Sequence, residues 1–483
     1  MINKAITSTI ILLALLFISA SAQVQTAVFW DVPDRNEEVL NNLSAIEEAG
    51  IHSVIISGII EPSRYTLIHN SGLDVIVQMP VYFPHRNFFS LHRETFNQIV
   101  SRYTDYYGAF DSVSGLILLK HGALHHEEFF EDLSYKAVEI AASNPALKLY
   151  LIDSRIQESQ NHPFEIVLQK TQDVSVPDGF NSPVIFSFPR DNKLISLNRF
   201  LSESNQISRP VWMDWNELGP LMESNSRFAE LIRTFSQDDD PIFPNPRTEP
   251  DSYEFSWPVF LLIVTWLFFA GHFRYFPKYR NSIFRYFFNY TFFTKDVIER
   301  LVRFGLTNVV LLLKFSFVSG LVFLAGTNAV LSPAGFEALG HYYPALSTHT
   351  GIFFAGFVGC FVLHIFLIIW LSAATFRADI FSQTAVFQLW PLHLTLIIVT
   401  LMVTLDVTNG SQVVIYGMII LFFAVHAGVF FLSSQTMATE PTLEPWLHHL
   451  LTTILYAALL ITCSVLIISY TEIPYISELI LSL

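Results

Sequence analysis

TAVFWDVPDRNEEVLNNLSAIEEAGIHSVIIS, residues 26–57, decides the fold of the first half of the chain. It opens on an apolar run, Thr26–Val32, and closes on another, His52–Ser57. Between them Glu37–Ala49 sets Val39, Leu40, Leu43 and Ile46 at the spacing of one helix face. Two short apolar runs joined by an amphipathic helix predict parallel strands, covered on both faces. The alternation continues outward from this unit. Strand-like runs recur at Leu73–Met79, Val113–Leu119, Leu147–Ile152, Asp173–Val176, Pro183–Phe188 and Pro210–Trp215. Helical patterns cover Arg93–Phe110, Glu127–Ala142, Phe164–Lys170, Lys193–Glu203 and Ser226–Phe235. The connection after the second run (Glu61–Gly72) is short, and the one after the sixth (Pro177–Ser182) is nearly helix-free. Eight strands with crossovers predict an α/β barrel of the TIM-like (β/α)8 kind over residues 23–236. A doubly wound open sheet is the alternative, but no Gly-rich dinucleotide loop follows the first strand.

The composition divides the chain between two solvents. It is 52% hydrophobic and only 14% charged over 483 residues, against about 25% charged in an ordinary soluble domain. Residues 1–254 hold 18 of the 27 Lys and Arg and 33 of the 42 Asp and Glu, so the remainder is net neutral and apolar. An acidic first half offers no basic surface to phosphates, so nucleic acid is not expected as a partner. Both cysteines, Cys360 and Cys463, fall in the apolar half.

Residues 1–22 read as a signal peptide: Lys4, an apolar stretch Ala5–Ile18, and Ala20-Ser21-Ala22 before the cleavage point. Residues 237–254 are rich in Pro and acid and read as a stiff linker. Six apolar runs follow, at 255–272, 305–331, 351–374, 385–405, 413–433 and 448–470, each long enough to cross about 30 Å of hydrocarbon. Seven of the nine Lys and Arg of this half lie within 273–304, which the positive-inside rule places in the cytoplasm. With six spans, the first domain and the C-terminus are then both extracytoplasmic, in a bacterial inner membrane. The 273–304 segment interleaves its cations with Phe and Tyr, as a helix lying in the lipid interface does, so membrane lipid is an expected partner.

The series RYFPKYRNSIFRYFFN, AATFRADIFSQTAVFQLWPLHL and EPWLHHLLTTILYAALL, spread over residues 255–470, resembles an uncharacterised polytopic inner-membrane domain family of envelope-rich bacteria. The resemblance implies a fold and an address but carries no activity. Polar residues inside spans are costly and so are functional candidates. Lys314, His364, His393 and His426 all convert to a depth of roughly 10–15 Å from the cytoplasmic edge. One shared layer would suit a metal, a haem or a proton relay. Otherwise Lys314 snorkels and each His bonds a neighbouring helix.

EEVLNNLSAIEEAG with IHSVIISG, and the late VWMDWNEL, resemble the barrel domains of retaining glycoside hydrolases. The resemblance implies a site at the strand C-termini, with an acid after the fourth strand and a nucleophile after the seventh. This chain has Lys120 and Phe188 there, so the likeness is to a barrel lacking the usual catalytic carboxylates. The carboxylates on offer for an alternative pair are Asp31, Asp153, Asp214 and Glu217; Trp30, Tyr82, Arg190, Trp215 and Asn216 are candidates to bind ligand. His121 and His125, four apart, would share a helix face and could hold zinc, a faint likeness to metal-dependent polysaccharide deacetylases. No cofactor is otherwise expected. The function that follows is a membrane protein whose exported, non-catalytic barrel binds glycan or protein in envelope assembly, sensing or scaffolding. A membrane-anchored glycosidase or deacetylase is the alternative, and a transporter-like core a third reading.

Overall fold

The computed structural model describes residues 26–108, 110–153, 163–170, 182–188, 193–205, 209–236, 256–299, 305–374, 381–408, 410–437 and 444–483. The expected signal peptide and linker lie outside these residues. The chain forms two compact units, Met1–Tyr253 and Glu254–Leu483.

The first unit is a closed barrel of eight parallel strands in sequential order. They are β1 (Thr26–Trp30), β2 (Ser53–Ser57), β3 (Asp74–Gln78), β4 (Val113–Lys120), β5 (Lys148–Asp153), β6 (Glu165–Lys170), β7 (Val184–Phe186) and β8 (Val211–Asp214). Around them lie α1 (Asn36–Glu48), α2 (Pro62–Ser71), α3 (Phe88–Tyr107), α4 (Glu127–Ser143), α5 (Lys193–Asn205), α6 (Trp215–Ser224) and α7 (Arg227–Ser236). β8 pairs with β1 to close the ring, Ala27 level with Trp212 and Phe29 level with Asp214.

Strand alternation separates two cores. Ala27, Ile55, Ile76, Ile117, Tyr150, Ile152, Val167, Ile185 and Trp212 fill the barrel with Phe29 beside them, so every strand contributes and no open pore is left. Side chains of the opposite parity, such as Val28, Val54 and Val75, are buried on the outer, helix-covered face. The wide Tyr150 is accommodated by Gly115, where an added Cβ would come within 2.7 Å of the ring. β4 is also the strand whose pairing shifts register against both β3 and β5. The foot of the barrel is tied by α7, which buries Phe228, Leu231, Ile232 and Phe235. Its last residue, Ser236, abuts Gly50, whose φ of +72° and lack of side chain permit the approach.

One expectation fails here. Phe164–Lys170, expected to be helical, supplies β6 instead, pairing with β5 through Ile166 and Val167 and with β7 through Leu168. EIVLQK is a short apolar run, and at that length helix and strand patterns are indistinguishable; the vacant place between β5 and β7 decides. The run Asp173–Val176 lies outside the described residues. The connection after β2 is a ten-residue helix, α2, started by Pro62 at its first turn and ended by Gly72 at φ +78°.

Among the described residues the second unit contains six helices long and apolar enough to cross a membrane: Trp257–Tyr275, Leu306–Val330, His349–Ala373, Phe381–Val407, Gln412–Met437 and Trp446–Tyr470. Each overlaps an expected span within a few residues. In order the helices are α8 (Trp257–Tyr275), α9 (Pro277–Phe288), α10 (Tyr290–Ile298), α11 (Leu306–Val330), α12 (Pro333–Tyr342), α13 (His349–Ala374), α14 (Phe381–Leu389), α15 (His393–Val407), α16 (Gln412–Met437), α17 (Pro445–His449), α18 (Leu455–Tyr470) and α19 (Ile473–Ser482). The fourth span turns through a 3₁₀ segment at Trp390–Leu392, where Pro391 cannot donate to the helix. The second and fourth spans are 67% and 78% buried and the sixth only 6%, so the bundle is built round α11 and α14–α15. α11 and α13 meet through small residues: Gly320 faces Phe353 and Gly356 faces Phe323, each too close for a Cβ.

The basic–aromatic segment after the first span, expected as one interfacial helix, is two helices broken at Asn289. Tyr279, Phe293 and Val297 are packed into the bundle core, so one face serves the protein, not lipid. Ion pairs Arg285–Asp296 and Lys295–Glu299 tie its polar side.

Candidate functional site

Parallel register carries the C-terminal ends of all eight strands to one rim of the barrel. Because Phe29 is level with Asp214, the residues just past β1 and β8 are neighbours there. Asp214 ends β8 and caps α6, its Oδ1 accepting from Asn216 N at 2.9 Å. The Asn216 side chain donates through Nδ2 to Asp31 Oδ2 at 3.0 Å. Glu217 Oε2 accepts from Phe188 N at 3.4 Å, drawing the end of β7 toward α6. Asp31, Asn216, Asp214 and Glu217 thus form one polar arc. Lys120, at the end of β4, is near enough to favour the charged form of Asp214. Desolvation outweighs it, and with Asp31 alongside holds the Asp214 carboxyl above the usual carboxylate range. Asp153, the last residue of β5, is 1% exposed and so is withdrawn from the rim surface.

The aromatic candidates fare unequally. Trp30 is buried at 2% exposure, because it shares the parity of Val28 and faces the helices. Trp215 is buried too, its indole packed on Gly219 within α6. Of the three expected rings, only Tyr82 keeps a partly exposed face; it pairs through its backbone with Lys120. Arg190 lies outside the described residues.

The proposed histidine pair does not share a helix face. α4 begins only at Glu127, and residues 121–126 precede it as a loop. His121 has φ +54°, a left-handed turn that takes the chain off the helical path, and its buried Nε2 meets Gln169 Oε1 at 2.7 Å. His125 is exposed, beside His126. His121 stacks instead on Phe83, which has φ +53°. These are the two non-glycine residues with positive φ among the described residues, and they lie side by side at the ends of β3 and β4. Backbone strain of this kind concentrates where a site needs fixed geometry. Phe83 had no signal in the sequence, since nothing in its neighbours announces a left-handed turn.

In the second unit the four residues expected in one layer separate into two groups. Lys314, 2% exposed, points its Nζ at the Phe269 ring (4.3 Å), with Phe268 and Tyr279 at 5.1 and 5.9 Å. Tyr279 Oη meets His393 Nε2 at 2.5 Å, and His393 Nδ1 donates to the Trp390 carbonyl at 2.6 Å. His272 lies flat on Tyr279, ring centroids 4.2 Å apart. A cavity of about 750 Å³ between α8, α9 and α15 has Tyr279 and His393 in its wall. Lys314, for which snorkelling was the alternative to a shared layer, is buried with its Nζ over aromatic faces. His364 and His426 form the other group, rings stacked at 5.4 Å, with Cys360.

Among known proteins, no protein-family model matches the chain and no curated protein does.

Proposed function

We propose that the protein is a membrane-anchored binding protein of a bacterial cell envelope. In this reading residues 26–236 are a TIM-like, glycoside-hydrolase-like barrel that has kept the site and lost the catalysis. It stands outside the inner membrane, with both chain ends on that side, and the basic 274–303 segment faces the cytoplasm and lipid headgroups. The rim takes an envelope glycan; nucleic acid has no place in it. One observation carries the reading: three rim carboxylates that could form an acid–base pair are each engaged by a protein donor. Asp214 caps α6, Asp31 accepts from Asn216, and Glu217 accepts from Phe188 N. The strained Phe83 and His121 beside Lys120 support the rim as the place of binding.

A second reading, a membrane-anchored hydrolase, is favoured by Asp214 alone. A carboxyl pushed above its ordinary range by burial is how the acid of a catalytic pair is prepared. The two readings part in one experiment. Soluble peptidoglycan and polysaccharide fragments are titrated by calorimetry into the full chain in lipid nanodiscs, and the mixtures are then assayed for turnover with and without zinc. Binding that weakens in Tyr82→Ala and Asn216→Ala, with no turnover, supports the binding protein. Binding indifferent to both substitutions places the site elsewhere. Turnover abolished by Asp31→Asn promotes the hydrolase.

A further inference from the structure

Cys360 and His364 stand one turn apart on α13, and His426 faces them from α16. Their ligand atoms all lie within 4.8 Å of one another. A sulfur and two imidazole nitrogens around one ion at bond lengths of about 2.0–2.3 Å are roughly 3.5–4 Å apart, so small rotations close the set. His364 is 0% exposed, and neither of its ring nitrogens has a hydrogen-bond partner. A buried imidazole with nothing to bond is costly, and a ligand would remove the cost. His426 is already oriented as a ligand is: its Nδ1 donates to the Phe422 carbonyl at 2.9 Å, which leaves the buried Nε2 as the bare nitrogen, without a partner of its own. Ser319 of α11 hydrogen-bonds Cys360. Two of the three members are therefore held by the protein, and His364 is left with both nitrogens unpaired for a ligand.

We propose that Cys360, His364 and His426 bind a single cuprous ion within the membrane unit. The donor set is soft and lacks a carboxylate, which selects Cu(I) or Zn(II) over hard cations. Charge then chooses between these two. Binding releases the thiol proton to solvent, so Cu(I) with one thiolate and two neutral imidazoles leaves no net charge in an apolar bundle. Zn(II) with the same ligands leaves one positive charge and an open fourth position. The six spans contain one carboxylate, Asp406, and it hydrogen-bonds Asn328. An uncompensated charge in such surroundings is poorly solvated, which disfavours zinc. This site stands apart from the barrel reading and does not depend on it.

The test uses the tag-free full chain in nanodiscs, titrated anaerobically with Cu(I) against bicinchoninate as competing chelator. The expected result is one copper per chain, one proton released per copper, and an X-ray absorption spectrum with one sulfur and two nitrogen donors. Cys360→Ser and His364→Gln should each weaken binding at least ~100-fold, the upper end of what mere outer-shell changes cost. His448→Gln, a buried histidine outside the cluster, should bind as the parent does. No stoichiometric copper, a copper spectrum without sulfur, preference for Zn(II), or unaltered binding in Cys360→Ser overturns the proposal. Should a variant fail to fold, the donor set of the parent protein still decides.

Discussion

Asp214 carries two jobs that pull against each other. As the cap of α6 it needs an acceptor oxygen; as an ionised group beside Asp31 in a desolvated rim it is held at a cost. Asn caps a helix as well as Asp and has no charge. Asp214→Asn should therefore raise the thermal midpoint of the protein at pH 7, by the order of a few degrees. The gain should vanish near pH 3. A carboxyl raised in the fold favours folding below its unfolded pKa, and that advantage fades as pH rises through the folded value. A midpoint lowered at pH 7 would mean that the charge stabilises the rim. His52 gives the opposite slope. Burial pushes its imidazole below the ordinary histidine range, outweighing Asp74, while its Nδ1 lies 3.1 Å from Thr26 Oγ1. Its unfolded form binds the proton more readily, so stability should fall as pH drops below about 6.5, and His52→Gln should flatten that stretch of the curve. The residue scale is also where the sequence was least legible. Asp31, Asn216, Asp214 and Glu217 were found because they follow strand ends. That Trp30 turns away from the rim to lie under the helices, and that Phe83 and His121 take left-handed backbone, depends on strand register and long-range packing that no local string encodes. Cys360 was noted only as lying in the apolar half, although its spacing of four from His364 on a helix was in plain view.

Among elements, the two periodicities were readable wherever the run was long. Each of the six spans was found within a few residues, because the hydrocarbon requires a length that chance does not supply. The barrel strands came from continuous apolar runs, and the one exchange, a helix expected where β6 lies, occurred in a short run whose pattern fits helix and strand alike. What holds the spans together was not legible, since glycines in apolar runs look alike until their neighbours are known. Gly320 is one whose neighbour is now fixed: an added Cβ would fall 2.8 Å from the Phe353 carbonyl oxygen. Gly320→Leu should force α11 and α13 apart, destabilising the second unit by about 1–3 kcal/mol and lowering its melting temperature in detergent. Gly271 has nothing within 4 Å of its Cβ position, so Gly271→Ala should melt close to the parent. Equal melting of Gly320→Leu and Gly271→Ala would show that the close contact carries no weight.

For the molecule as a whole, the acidic first half and the apolar second half correspond to two compact units, and the boundary at Tyr253–Glu254 falls where the composition changes. The proposed orientation rests on charge: in that reading the cations between Arg274 and Arg303 lie on the cytoplasmic side. Alkaline phosphatase fused after Leu483 should therefore be active, and inactive when fused after Asn289. The reverse pattern would invert the unit and put the barrel in the cytoplasm, which would remove the envelope glycan as its ligand. The central claim is that the rim binds without cleaving. Native mass spectrometry of the nanodisc-held chain incubated with envelope glycan fragments reads both outcomes at once. The account predicts a bound fragment whose mass stays that of the intact, still-acetylated glycan over hours. Shortened or deacetylated products that accumulate with the parent protein and are absent with Glu217→Gln would contradict it.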